Sequence, residues 1–252
     1  MTFKLRNFLL SAVFLFTLLM TCVPTLYAQE IVNESPDVNA SERLDHNNKI
    51  KKVSDANGEI TTQAYAGIAT LTIFADPSAS TIGSSGLSYD LGTHAFITVK
   101  NISTSPITVG KLGSIAPGKT VSIGTWGNKS EHKGLWYNLE SYFVYKNSAY
   151  KNRVSYSMAL SDTSLSTLNT YIKNNDYWSN TTNCSSFASG AWNSVAVTSD
   201  KISAGLPNTP KNLASNIKSK WPTQYKTGYV VPYDYVVYYA QGSGTPIRSG
   251  SY

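Results

Sequence analysis

The stretch Asn180–Val195, NTTNCSSFASGAWNSV, places a helix-capping residue, a thiol and an apolar stripe in immediate succession. Asn183 belongs to the residue types that accept backbone N–H groups at helix starts. Behind it, Phe187, Ala188, Ala191, Trp192 and Val195 recur at helical spacing, with Cys184 on the same stripe. The stretch therefore reads as an amphipathic helix whose first turn carries Cys184 toward the protein body. Unpaired N–H groups and the positive end of the helix dipole favour an anion there, drawing a thiol below its free pKa of about 8.5. The thiolate is the reactive form, and the same N–H groups suit the oxyanion of a tetrahedral intermediate. Asn183 and Cys184 are thus the expected cap and oxyanion-donor turn.

The chain has 252 residues and two cysteines, the other being Cys22. Lys4 and Arg6 precede the apolar run FLLSAVFLFTLLM, and small Ala28 follows shortly after it. This is the pattern of a secretory signal peptide over residues 1–28, and the run is short of the ~20 apolar residues that span a bilayer. Cleavage after Ala28 removes Cys22 and leaves Cys184 as the sole mature cysteine. It also leaves 19 basic against 15 acidic residues, a net charge of +4. In an oxidising compartment, a single leftover cysteine points to intermolecular pairing or to a reactive thiol. The expected location is secreted or cell-surface.

Residues 29–62, with NESPDVNASERLDHNNKIKKVSDANGE, are too polar to build a core of their own and read as a linker or spacer. A pro-segment is the alternative. Residues 63–252 have the size of one domain. Its first part is strand-like: YAGIATLTIFA, HAFITVKN, SPITVGKL and KTVSIGTW are separated by Gly, Ser, Asn and Pro clusters. In HAFITVKN, Ala95, Ile97 and Val99 define the core face. GLWYNLESYFVYKN leans toward strand. A helix capped by Ser161 or Asp162 follows, with Leu165, Leu168, Tyr171 and Ile172 on one stripe. Thr209 and Pro210 mark a further helix start, and YVVPYDYVVYYAQ is a tyrosine-rich strand candidate confined by Pro232 to an edge or bulge. Strands first and helices later make this an α+β fold, an antiparallel sheet packed on helices.

A reactive thiol needs a base, and His94, opening a core strand, is the candidate. His132 in NKSEHKG and His46 in the linker read as solvated. A buried cysteine is more often only a small hydrophobe. The single mature cysteine, its capped helix start and a histidine on a core strand weigh toward chemistry.

The order GTHAFITVKN, then NCSSFASGAWN, resembles the circularly permuted branch of the NlpC/P60 superfamily of papain-like thiol enzymes, which includes the lecithin–retinol acyltransferase relatives. Permuted members carry the histidine first and an Asn-Cys-x-x-Phe-type motif later. Asn183, Cys184 and Phe187 match it. Ordinary wall-peptide-cleaving members have Asp before the cysteine and Gly shortly after, where this chain has Asn183 and Ser185-Ser186. The resemblance implies a papain-like core with Cys184 as nucleophile, His94 as base and a third polar residue orienting the imidazole. If HAFITVKN and KTVSIGTW pair antiparallel, that third residue falls among Thr125, Asn128, Glu131 and His132. The implied activity is a secreted cysteine hydrolase or acyltransferase acting on an amide or ester, either a peptidoglycan peptide or a lipid acyl group.

The competing class is a non-catalytic cell-wall or surface-binding module using Trp126, Trp136, Trp192, Tyr229, Tyr233, Tyr235, Tyr238 and Tyr239. No cofactor or metal is expected: the chain has no CxxC or HExxH, and GSSG at Gly83–Gly86 lacks a phosphate-loop lysine. The lysines are scattered, so a nucleic-acid partner is not expected, whereas contact with an anionic wall polymer or membrane surface is. The expected assembly is a monomer.

Overall fold

β-branched and aromatic residues between turn clusters build the sheet, and three polar caps start the helices packed on it. The computed structural model describes residues 67–78 and 93–252, with the backbone of strands at 51–54 and 60–63. The expected signal segment 1–28, His46 and Gly83–Gly86 lie outside the described residues. In chain order the strands are β1 (Lys51–Ser54), β2 (Ile60–Gln63), β3 (Ala69–Asp76), β4 (His94–Asn101), β5 (Ile107–Val109), β6 (Gly113–Ile115), β7 (Thr120–Trp126) and β8 (Gly134–Tyr137). Helix α1 (Leu139–Asn147) and strand β9 (Val154–Leu160) come next. Helices α2 (Asp162–Asn174), α3 (Cys184–Val195) and α4 (Pro210–Lys220) follow, then the short strands β10 (Lys226–Thr227), β11 (Tyr238–Tyr239) and β12 (Ile247–Arg248). β1 and β2 pair antiparallel, largely within the stretch that the sequence reads as linker.

The main sheet has the order β10-β9-β3-β4-β7-β8-β11-β12, and its pairs are antiparallel. The mixture of helices and an antiparallel sheet is the α+β class expected. Helices α2, α3 and α4 lie on one face, where Leu168, Ile172, Phe187, Ala188, Trp192 and Ile217 meet Leu71, Ile73, Ile97, Val99 and Val121 in a single buried cluster. Their caps are the expected ones: Ser161 accepts from Ser164 N, Asn183 from Ser185 N and Ser186 N, and Thr209 from Asn212 N.

Three expectations change. The second face of β4 is also core: Phe96 stacks on Phe74 at 4.8 Å, and His94 and Thr98 are buried. GLWYNLESYFVYKN is not one strand but β8 turning into α1, through Asn138 in the left-handed region (φ 63). Within YVVPYDYVVYYAQ only Tyr238–Tyr239 pairs as strand, and the remainder runs irregularly over the α1 face, with Val231 and Val237 buried beneath it.

The β4–β7 ladder positions the site. It pairs Ile97 with Ile123 through Lys100 with Thr120, then stops, although β4 begins at His94 and β7 continues to Trp126. The sheet is unzipped there over three residues of each central strand. Side chains from both layers meet at that opening.

Candidate active site

Helix α3 delivers the thiol. Asn183 Oδ1 accepts Ser185 N–H at 2.9 Å and Ser186 N–H at 3.3 Å, while its Nδ2 donates to Asn208 O at 2.8 Å. The cap is thus itself held by the segment before α4. It claims the second and third N–H groups of the helix and not that of Cys184, the first. Cys184 is partly exposed and packs at the rim of the helix-side core.

His94 opens β4, and its imidazole faces the Cys184 sulfur closely enough for each to shift the other's charge state. Its Nε2 lies 3.1 Å from Glu140 Oε1, so Nδ1 is the ring nitrogen left for the sulfur. Glu140, fully buried in the first turn of α1, receives Trp126 Nε1–H at 2.8 Å on Oε1 and the Ser122 hydroxyl at 3.0 Å on Oε2. The Ser122 hydroxyl in turn accepts Ser141 N–H. The Trp126 ring covers the imidazole at 4.1 Å. Gly124 makes room for this carboxylate, because a Cβ there would stand 2.3 Å from Glu140 Oε1 and 3.1 Å from His94 Nε2.

The electrostatics follow from these contacts. Burial alone would pull the imidazolium pKa down, but the Cys184 sulfur and the Glu140 carboxylate outweigh it and raise His94 to about 9. Burial pushes the Cys184 thiol up, and the His94 charge and hydrogen bond, Ala95 N–H and the Ser185 hydroxyl bring it below its ordinary value. Ala95 is available to the sulfur because the β4–β7 ladder has already ended. The arrangement favours a thiolate–imidazolium pair, a nucleophile with a proton donor beside it.

The structure brings Cys184, His94 and the Asn183 cap together, as the sequence predicts, and places the four candidates for the third polar residue elsewhere. Thr125 is buried on β7 with its hydroxyl unpartnered. Asn128 is exposed beyond the strand. Glu131 binds the C-terminal segment through Ser249 Oγ (2.6 Å) and Gly250 N–H (2.8 Å). His132 Nε2 pairs with Asp176 Oδ1 at 2.6 Å, and the same oxygen accepts Leu135 N–H at 2.9 Å. His132 therefore braces the α2–α3 connection that leads to Cys184. Trp178 reinforces it by lying against Gly127, where a Cβ would meet the indole at 2.2 Å. The group on His94 is Glu140, 46 residues along the chain. Its sequence signal is the one charged residue inside the aromatic-rich GLWYNLESYFVY.

The aromatic residues of the binding-module reading serve mainly as packing. Trp136 and Trp192 are fully buried, Trp126 covers His94, and Tyr239 lies against Trp136 and His132. A hollow of about 200 Å³ between Leu112, Ile115, Tyr235 and Tyr238 contains none of the Cys184–His94–Glu140 residues. The Cys184–His94–Glu140 cluster sits at the sheet opening instead, at the rim of the helix-side core. No known protein family, curated protein or solved structure matches the chain.

Proposed function

We propose that residues 63–252 form a permuted papain-like domain of the NlpC/P60 type, and that the chain is an exported cysteine hydrolase or acyltransferase acting on an amide or ester carbonyl. The observation that carries this reading is the bridging position of His94, electrostatically coupled to the Cys184 sulfur on one side and 3.1 Å from the buried Glu140 carboxylate on the other. The histidine strand preceding the cysteine helix agrees with the permuted order. The basic, apolar opening of the chain supports export.

In this mechanism the Cys184 thiolate attacks the carbonyl carbon, and the carbonyl oxygen gathers charge beside the Cys184 N–H. His94 gives its proton to the leaving group, and Glu140 and Trp126 hold the ring in place for that transfer. Water, or another acceptor nucleophile deprotonated by His94, then resolves the thioester. The carbonyl belongs to a cell-wall peptide or to a lipid acyl group.

Mass spectrometry of muropeptides and of lipid esters incubated with the mature protein or with Cys184→Ala tests the reading. Product from the wild type alone is expected in one of the two substrate sets. Equal product from Cys184→Ala overturns the catalytic role.

A further inference from the structure

Tyr150 follows α1 in the stretch KNSAYKNR and is held in the left-handed region, φ 55. A bulky residue is strained there and stays only where its surroundings over-determine it. Arg153 is what holds it. Its N–H and Nη1 both donate to Tyr150 O, at 3.1 and 2.8 Å. Its Nε and Nη2 reach Tyr229 O and Gly228 O at 2.6 and 3.1 Å. The constrained backbone lays the Tyr150 ring 5.7 Å from His94 and 5.7 Å from Phe96. Among the described residues, the side chain's contacts are through the ring, and a phenylalanine would pack there as well. The hydroxyl is left for another task. Burial and the negative charges of Glu140, Cys184 and Asp76 hold its pKa well above the usual tyrosine value, so it remains a hydrogen-bond donor throughout the working range.

His94 must hand its proton to the leaving group, so the imidazole side of the sulfur is the side from which that group departs. Tyr150 stands beside that imidazole, the two rings 5.7 Å apart. We infer that Tyr150 receives the leaving-group end of the acyl substrate, its hydroxyl donating a hydrogen bond to the acceptor oxygen there. This rests on the thiol acyl-transfer reading above. In the step concerned, the sulfur–carbon bond forms and the carbon–oxygen or carbon–nitrogen bond breaks. The freed electron pair stays on the leaving atom, and the proton comes from His94. Once the thioester has formed, the leaving fragment is gone and the hydroxyl has no further part.

p-Nitrophenyl acetate separates these stages, since the burst of nitrophenolate reports acylation and the steady rate reports deacylation. Tyr150→Phe is expected to slow the burst about tenfold, the scale of one lost hydrogen bond to a charged oxygen. The steady rate and the pH profile of Cys184 alkylation by iodoacetamide should stay at wild-type values. A burst at the wild-type rate overturns the proposal. A shifted alkylation profile, or an equal fall in both rates, also overturns it and makes Tyr150 a support for His94. A wild-type burst that Cys184→Ala lacks upholds the acyl-transfer reading whatever Tyr150→Phe does, and no burst from the wild type overturns both.

Discussion

At the residue scale, His94 and Cys184 lock one another into charged forms. The sulfur's pKa is depressed and the ring's is raised to about 9, so between the two values the thiolate–imidazolium pair is populated. Lowering the pH removes it by protonating the sulfur, and raising the pH past about 9 removes the ring's proton. The alkylation rate of Cys184 with iodoacetamide should therefore reach its plateau below the ordinary thiol value of about 8.5. In His94→Ala, with burial no longer opposed by a cation, the rise should move above that value. Turnover should fall on the alkaline side near 9, as the donor for the leaving group is lost. Glu140→Gln keeps the shape and removes the charge; it should lower the His94 pKa and, on the proposed mechanism, cut turnover between about 100- and 10,000-fold, the scale on which loss of the orienting carboxylate acts in Ser-His-Asp triads. Gly124→Ala forces a methyl against Glu140 Oε1 and His94. It should reduce turnover and cost about 1–3 kcal/mol in a denaturant titration, the range for overpacking a filled core.

At the element scale, the caps were legible because their signals are local: Ser161, Asn183 and Thr209 each accept an N–H two or three residues onward. Asn183→Ala should cost about 1 kcal/mol of stability. It should also loosen the start of α3, since the same side chain is tied to Asn208; urea denaturation together with the alkylation rate reports both effects. Helix α1 was not legible. Its residues, LESYFVYKN, include aromatic and β-branched types that suit a strand, and the decision is made outside it. The left-handed turn at Asn138 and the bonds of that side chain to Ser122 N–H and Val236 O aim the helix over β7. For the same reason the residue beside His94 was sought on the wrong element. Reading across from His94 to β7 assumes a ladder that continues, and this one ends at Ile97 and Ile123. The tyrosine-rich C-terminal stretch shows the related effect, with tertiary cover of the α1 face winning over strand propensity.

At the scale of the whole molecule, the sheet has a core on each face. Trp192 is buried with the helices α2–α4, and Trp136 is buried with α1 and Val237. Both clusters are anchored to the same central strands, so they should melt together. Tryptophan fluorescence and the exposure of Cys184 to a thiol reagent should follow one transition with a common midpoint in denaturant. A hydrophobic pattern predicts burial, but not that His94 and Phe96 would be covered as fully as Ala95 and Ile97. That second cover comes from Trp126, helix α1 and Tyr150 after it, and from Tyr229 and Val231 in the irregular C-terminal stretch.

The early end of the β4–β7 ladder has a mechanical consequence. The Cys184 thiol is carried by the layer on one side of the sheet and the Glu140 carboxylate by the layer on the other, and the imidazole spans the opening between them. The separation of the two layers therefore sets the proton-transfer distance. A displacement of a few tenths of an ångström, from a bulkier side chain at Phe74 or from applied hydrostatic pressure, would detune the proposed acyl transfer while leaving Cys184, His94 and Glu140 unaltered.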